Sequence, residues 1–160
     1  MDEKDIELLR LLQEDCKRSM KELSKSLGLP ISTVYTRIKR LEKEGVIKGY
    51  TALIDEKKLG YGVRAFILIS YAPTKVSQIE VAKKLAEFPQ VLGVYIITGE
   101  WDIILEVIEK DVESLGEFVV NKLRSIKGVD KTLTMAVLKR VKDERKILTY
   151  AKYNVSKWKD

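Results

Sequence analysis

The hydrophobic pattern of the last hundred residues constrains the fold most, because strand-like and helix-like segments follow one another in a fixed order. Loosely alternating apolar stretches predict strands at 63–71, 91–98, 101–109 and 129–141. Helical periodicity behind capping residues predicts helices at 77–88 and between Asp111 and Gly128. The order β-α-β-β-α-β is that of a ferredoxin-like unit with one four-stranded antiparallel sheet. We therefore predict an α+β chain.

Three short helices are predicted in the first 44 residues. The second of them starts at the capping box of Ser19 and Glu22 and ends at Gly28, and Pro30 cannot continue it. The third runs from about 31 to 44. The predicted core stripes are Ile6, Leu9 and Leu12 in the first helix, widened by Leu8 and Leu11, and Val34, Ile38 and Leu41 in the third.

A segment with the pattern of a strand and a turn follows these helices. Residues 46–54 alternate loosely and end in the polar run 55–58, which predicts a wing. Two helices joined by a tight glycine-containing turn, followed by a wing, form a winged helix-turn-helix. The predicted organisation is a helix-turn-helix domain at 1–54, a linker at 55–61, the ferredoxin-like domain at 62–141 and a basic C-terminal extension at 142–160.

Positive charge is concentrated in one stretch of the chain. The net charge is +6, and residues 16–48 hold nine basic groups against three acidic ones. Residues 61–141 are nearly balanced, with eleven basic and ten acidic groups. One basic stretch on an otherwise balanced chain is typical of a protein with a polyanionic partner. A solvated lysine and arginine face is the alternative interpretation.

The exposed face of the third helix supplies the chemistry for reading duplex DNA. Short hydroxyl side chains reach base edges without crowding, an arginine can bind guanine through two hydrogen bonds, and flanking cations suit phosphates. The predicted DNA-binding residues are Ser32, Thr33, Tyr35, Thr36, Arg37, Lys39 and Arg40 on the helix and Lys48 in the wing. A generic three-helix bundle with a basic surface is the alternative.

Composition excludes several classes of site. The chain has no histidine and one cysteine, Cys16, which rules out Ser-His-Asp and Cys-His nucleophiles and the usual zinc sites. We expect no cofactor and no metal. No window approaches eighteen uninterrupted apolar residues and the N-terminus has no apolar signal segment, so we expect a cytoplasmic protein without a membrane partner.

Taken in order, these motifs give the chain a clear resemblance to the Lrp/AsnC (feast/famine) transcriptional regulators over about residues 1–141. The resemblance rests on Leu8-Leu9, on 25–29, on 33–47 and on the hairpin sequence Gly99-Glu100-Trp101-Asp102. It implies dimers formed through the C-terminal sheets, assembly of dimers into tetramers or octamers, and a response to small effectors, usually amino acids. Low asparagine and glutamine content with much lysine and glutamate is typical of a thermophilic source, and with the resemblance we expect an archaeal or thermophilic member of the family.

The resemblance also implies an effector site at the hairpin between the second and third strands. There Asp102 can accept hydrogen bonds from an ammonium group, and the backbone around Gly99 can donate to a carboxylate because no Cβ blocks the approach. The candidate effector-binding residues are Thr98, Gly99, Glu100, Asp102, Thr132 and Thr134. The alternative interpretation is structural: Gly99 is an ordinary hairpin glycine, Asp102 stabilises a turn, and Thr132 and Thr134 are ordinary strand residues.

The predicted sheet is apolar on both faces. In its first strand Ala65, Ile67 and Ile69 alternate with Phe66 and Leu68, and the two helices can cover one face only. Both faces must be buried, so the sequence predicts a symmetric homodimer through the second face.

Three other functions compete with that of a ligand-tuned regulator. An RNA-binding module shares the element order, but the third strand lacks the exposed aromatics that stack on bases. A small dimeric ferredoxin-like α+β enzyme is the second alternative, but the sequence shows no histidine, no paired catalytic carboxylates and no glycine-rich phosphate loop. We therefore expect no enzymatic activity. A ligand-independent architectural DNA-binding protein stays an alternative.

Overall fold

A computed structural model of the chain describes residues 1–73, 76–143, 146 and 147. It contains two compact units, one with Met1–Leu53 and one with Ile54–Val141. Most of the predicted extension at 142–160 lies outside the described residues. No helix in the described part of the chain is long and apolar enough to cross a membrane.

The first unit consists of three helices: α1 (Glu3–Glu14), α2 (Met20–Leu27) and α3 (Ile31–Lys43). The predicted capping box at α2 is confirmed, because the Ser19 hydroxyl accepts from the Glu22 N–H and the Glu22 carboxylate accepts from the Ser19 N–H. Gly28 ends α2 with a φ of 64°, the left-handed conformation that glycine adopts without strain. Pro30 directly precedes α3, so the helix-turn-helix forms as predicted.

The core of the first unit confirms the predicted stripe of α3 and corrects that of α1. The buried apolar residues are Leu8, Leu11, Leu23, Leu27, Val34, Ile38 and Leu41. In α1 the buried apolar positions are thus Leu8 and Leu11, whereas Ile6, Leu9 and Leu12 are only partly buried. Five apolar residues crowd into seven positions there, so periodicity alone did not fix which face turns inward.

The predicted wing is not formed by strands. Residues 46–54 contain no β-strand, and the polar run after them forms a 3-10 helix, Glu56–Leu59, with Asp55 as its N-cap. A strand needs a neighbour for its N–H and C=O groups, and the other regular elements of Met1–Leu53 are helices. Glu56 pairs with Arg64 (3.2 Å) and with Arg140 (2.7 Å), which ties the predicted linker to the second unit.

The second unit is an antiparallel sheet with a helical layer on one face. Its elements are β1 (Val63–Tyr71), α4 (Gln78–Ala86), β2 (Val91–Ile96), β3 (Ile103–Glu109), α5 (Val112–Glu117) and β4 (Val129–Ala136). The helix after β3 continues beyond α5 through a π-helical turn, Phe118–Lys122, and a 3-10 turn, Leu123–Ser125. The strand order β2-β3-β1-β4 confirms the predicted ferredoxin-like arrangement.

The sheet has one face covered by helices and one open face, and the side chains of the central strand β1 alternate between the two. Ala65, Ile67 and Ile69 are fully buried in the main core, which also contains Phe118. Phe118 packs edge-to-face on Phe88 with 5.2 Å between the ring centroids.

Leu68 points to the opposite side of β1, which we call the open face. It lies in register between Ile104 of β3 and Leu133 of β4. Leu133 and Met135 are 45% and 41% exposed in a single chain. The sheet is therefore apolar on both faces, as predicted from its first strand.

Gly128, just before β4, has a backbone and a packing requirement that only glycine meets. Its φ is 101°, and a Cβ there would lie 2.7 Å from Val81 Cγ2. Gly60 has a similar φ of 89° but faces open space.

We expect Gly128→Ala to lower the free energy of unfolding by about 2–4 kcal/mol and Gly60→Ala by about 1 kcal/mol. Urea unfolding of both variants at equal protein concentration checks this, and equal losses would contradict the packing argument.

Candidate functional site

The exposed side of α3 borders a shallow concavity. Its lining combines three short hydroxyl side chains with two guanidinium groups and one carboxylate: Ser32, Thr33, Thr36, Arg37, Arg40 and Asp2. The Thr36 hydroxyl donates to the Ser32 carbonyl at 2.9 Å, which fixes the orientation of this side chain on the helix. The structure thus brings together five of the eight residues predicted to contact DNA.

The other three predicted DNA-binding residues lie outside the concavity. Tyr35 is 53% exposed, and the Lys39 ammonium lies 5.8 Å from the centroid of its ring. Lys39 also pairs with Glu42 at 2.8 Å, and this hydrogen bond raises the pKa of Lys39. Glu42 in turn accepts from the Tyr50 hydroxyl at 3.1 Å, and Lys48 is exposed in the segment after the helix.

Arg37, predicted to read guanine, is engaged by two carboxylates from the start of α1. Its Nη1 donates to Asp2 Oδ1 at 2.8 Å, to Asp2 Oδ2 at 2.7 Å and to Asp5 Oδ1 at 2.7 Å. Arg40 Nη2 donates to the second oxygen of Asp5 at 2.6 Å. A contact between Arg37 and a base therefore requires an exchange of partners, and the base-reading role stays a prediction.

Asp5 is a residue next to this site that the sequence-based prediction did not include. Its side chain is fully buried, and it forms a reciprocal capping box with Asp2, whose N–H donates to Asp5 Oδ2 at 2.8 Å. The available signal was its spacing, because Asp5 precedes Leu8 by three residues and so lies on the buried side of α1. A buried carboxylate at such a position needs positively charged partners, and α3 supplies two of them, Arg37 and Arg40.

The electrostatics of Asp5 reflect this competition between burial and pairing. Burial raises the pKa of the carboxyl, but the Asp2 N–H and the guanidinium groups of Arg40 and Arg37 outweigh it and lower the pKa to about 2. Asp5 is therefore ionised at neutral pH, and it holds both arginines against α1 at the edge of the concavity.

The predicted effector hairpin connects β2 and β3. Its base is closed by a hydrogen bond from the Ile97 N–H to the Asp102 carbonyl at 2.9 Å. Asp102 Oδ2 accepts from the Tyr71 N–H at 2.7 Å, so this carboxylate has a structural partner at the end of β1. Thr98, Gly99 and Glu100 are exposed at the tip of the hairpin, and Gly99 has a φ of 124°.

The two threonines of β4 lie apart from this hairpin. Thr132 pairs with Ile69 and Thr134 with Ile67, so β1 separates both from β3. Two inter-strand spacings place them about 10 Å from the strand that continues the hairpin. Thr132 Oγ1 accepts from Arg124 Nε at 3.2 Å. Within one chain the structure therefore groups Thr98, Gly99, Glu100 and Asp102 but does not add the threonines.

These features define the class of protein: a helix-turn-helix unit with a basic and hydroxyl-lined recognition helix, joined to a ferredoxin-like α+β unit. Comparison with protein families assigns both parts. Residues 1–48 match the winged helix-turn-helix DNA-binding model, and residues 64–147 match the Lrp/AsnC ligand binding domain. The chain belongs to the Lrp/AsnC family of transcriptional regulators.

Curated relatives and solved structures agree with this family. An uncharacterised HTH-type transcriptional regulator of Pyrococcus furiosus is 43% identical over 145 residues, which are 90% of this chain and 97% of the relative. The HTH-type transcriptional regulator FL11 of Pyrococcus horikoshii is 42% identical over 89% of this chain and 93% of its own length. A transcriptional regulator of Neisseria meningitidis, solved as a complex with L-Met, superposes with a TM-score of 0.88 at 31% identity, covering 92% of this chain and 96% of that one.

The depressed pKa of Asp5 predicts an acid-sensitive contribution to stability. A carboxyl whose pKa is lower in the folded state than the unfolded value of about 3.9 stabilises the fold above pH 4, and this stabilisation of about 2 kcal/mol is lost as the pH falls from about 4 to 2. We expect Asp5→Asn to be less stable than the wild type at pH 6 and this difference to shrink over that window. Urea unfolding from pH 6 to pH 2 measures it, and a difference independent of pH would contradict the ionic role.

Proposed function

We propose that this regulator binds duplex DNA through the exposed face of α3, and that an amino acid bound at the β2–β3 hairpin tunes this binding. The observation that carries the first part is the concavity on α3, where hydroxyl groups and guanidinium groups lie side by side. Hydroxyls suit base edges and phosphates alike, and guanidinium groups suit guanine and phosphates.

The start of α3 adds a further feature that favours an anionic partner. Pro30 is the N-cap and offers no side-chain acceptor to the first N–H groups of the helix. Helix N-termini of this kind donate to phosphate oxygens, and the helix dipole favours the negative charge. In the proposed complex Ser32, Thr33 and Thr36 approach base edges, while Arg40 and Lys48 contact phosphates.

The hairpin supports a zwitterionic effector. A free amino acid requires an acceptor for its ammonium group and donors for its carboxylate, which Asp102 and the backbone at Gly99 supply. Asp102 has two carboxylate oxygens, and Oδ2 is the one that accepts from Tyr71. The solved relative from Neisseria meningitidis is a complex with L-Met, which supports an amino acid as the effector class. Thr132 and Thr134 join this proposed site only if another subunit brings its β4 to the hairpin.

The open face of the sheet supports a homodimer. Leu68, Leu133 and Met135 form an apolar surface on the side of the sheet opposite the helical layer. A second copy of the same face is the simplest cover, and it gives a two-fold symmetric dimer that presents two recognition helices. Further assembly of dimers into tetramers or octamers is proposed on the family resemblance.

A DNA-binding titration with and without amino acids tests the function. We expect the protein to shift duplex DNA from its own upstream region in a gel assay, and pooled amino acids to change the apparent affinity. Lys48→Gln should weaken binding to specific and random DNA by a similar factor and reduce the salt slope by about one, because one phosphate contact is lost. Lys83→Gln, an exposed lysine on α4, is the matched control.

The outcomes of this titration separate the candidate functions. No shift at low salt, on specific or random DNA, contradicts the DNA-binding proposal. A shift that amino acids leave unchanged contradicts the effector proposal and favours a ligand-independent architectural protein.

The homodimer proposal has its own test in a charge placed on the open face. Leu133→Glu should shift the protein toward monomers, because a carboxylate would be buried without a partner at the interface. Ile79→Glu on α4, where the wild-type residue is 59% exposed, should leave the assembly unchanged. Sedimentation at several protein concentrations measures both, and an unchanged molecular mass of Leu133→Glu would contradict dimerisation through this face.

A further inference from the structure

Asp2 places a negative charge in the surface proposed to meet DNA. Of the six residues that line the concavity on α3, five belong to α3 itself, and Asp2 is the one contributed by another segment. Both oxygens of its carboxylate lie within 2.8 Å of Arg37 Nη1. A DNA phosphate that approaches Arg37 therefore meets a carboxylate already in place.

The two acids that hold Arg37 differ in how readily they can be displaced. The Asp5 side chain is fully buried and also holds Arg40, so its release would leave a charge in the protein interior. The Asp2 side chain is 55% exposed, and water can solvate it as soon as it leaves Arg37. Exposed ion pairs contribute little to stability, so an external anion can replace this one at low cost.

Asp2 is not needed as a carboxylate to start α1. Its side chain caps the helix by accepting from the Asp5 N–H at 2.9 Å, a role that asparagine and serine perform as well as aspartate. The charge of Asp2 is thus separable from its structural role, whereas the charge of Asp5 is not.

We propose that Asp2 is an intramolecular competitor of DNA, which occupies Arg37 in the free protein and leaves it when a phosphate or a guanine edge takes its place. This inference rests on the proposed function of the α3 face. It assigns Asp5 the task of holding Arg37 and Arg40 at the concavity, and Asp2 the task of weakening every complex in which Arg37 contacts DNA. Because Asp2 must be displaced from Arg37, the affinity for DNA is lowered. Stable binding then depends on the other contacts between α3 and DNA.

The test is a titration of wild-type protein, Asp2→Asn and Asp2→Ser with the upstream duplex and with a random duplex. Both variants keep a capping side chain, and serine is too short to reach Arg37. We expect both to bind duplex DNA about three- to tenfold more tightly than the wild type. We also expect the slope of log affinity against log salt to change little, because Arg37 makes the same contact in the wild-type complex once Asp2 has left it.

Glu7→Gln is the matched control for net charge. Glu7 lies on the same helix and pairs with Lys4 at 3.2 Å, and removing its charge alters the total by the same amount as Asp2→Asn. We expect this variant to change the affinity less than twofold and to leave the salt slope unchanged. In an Arg37→Gln background, Asp2→Asn should gain no more than this control, because the competed group is gone.

The outcomes distinguish this inference from the proposed function. If the wild-type protein binds DNA but both Asp2 variants bind no more tightly than Glu7→Gln, the competitor role is overturned and the DNA-binding proposal stands. A gain that persists undiminished in the Arg37→Gln background also overturns it, because the effect would then not pass through Arg37. Absence of binding by the wild type and by every variant overturns the proposed function and this inference together.

Discussion

The first unit depends on one buried carboxylate. A charged side chain without access to water destabilises a protein unless cations and hydrogen bonds replace its hydration. Asp5 finds both, because Arg37 and Arg40 reach it from α3 and the Asp2 N–H completes its shell. These contacts tie the start of α1 to the middle of α3, and so they decide which groups of α3 remain free to meet a partner.

The second unit follows from a different constraint, the burial of a sheet with two apolar faces. β1 pairs on both edges and places Ile67 and Ile69 under the helical layer, while Phe66 and Leu68 turn to the open face. On that open face Arg64 pairs with Glu106, which is buried even in a single chain. An apolar surface of this kind supports the proposed homodimer.

The sequence was most informative where local chemistry decides the structure. The capping box of α2, the end of α2 at Gly28 and the β-α-β-β-α-β order of the second unit follow from the spacing of single residues, and all of them formed as predicted. It was less informative where a segment depends on distant neighbours. Residues 46–54 carry a strand pattern but have no strand to pair with. Within one chain β1 separates Thr132 and Thr134 from the hairpin, so a shared site with it depends on a second subunit.

The sequence by itself determined the class of this protein: three helices with a basic recognition face, then a βαββαβ unit, in the order of the Lrp/AsnC regulators. That information resides in periodicity, caps and turns, which act over a few residues. Tertiary structure alone decided that Asp5 is paired with Arg37 and Arg40 and that Arg37 is held by two acids more than thirty positions away. Ion pairs between α1 and α3 depend on how two helices pack, and the spacing of residues along either helix does not contain that information.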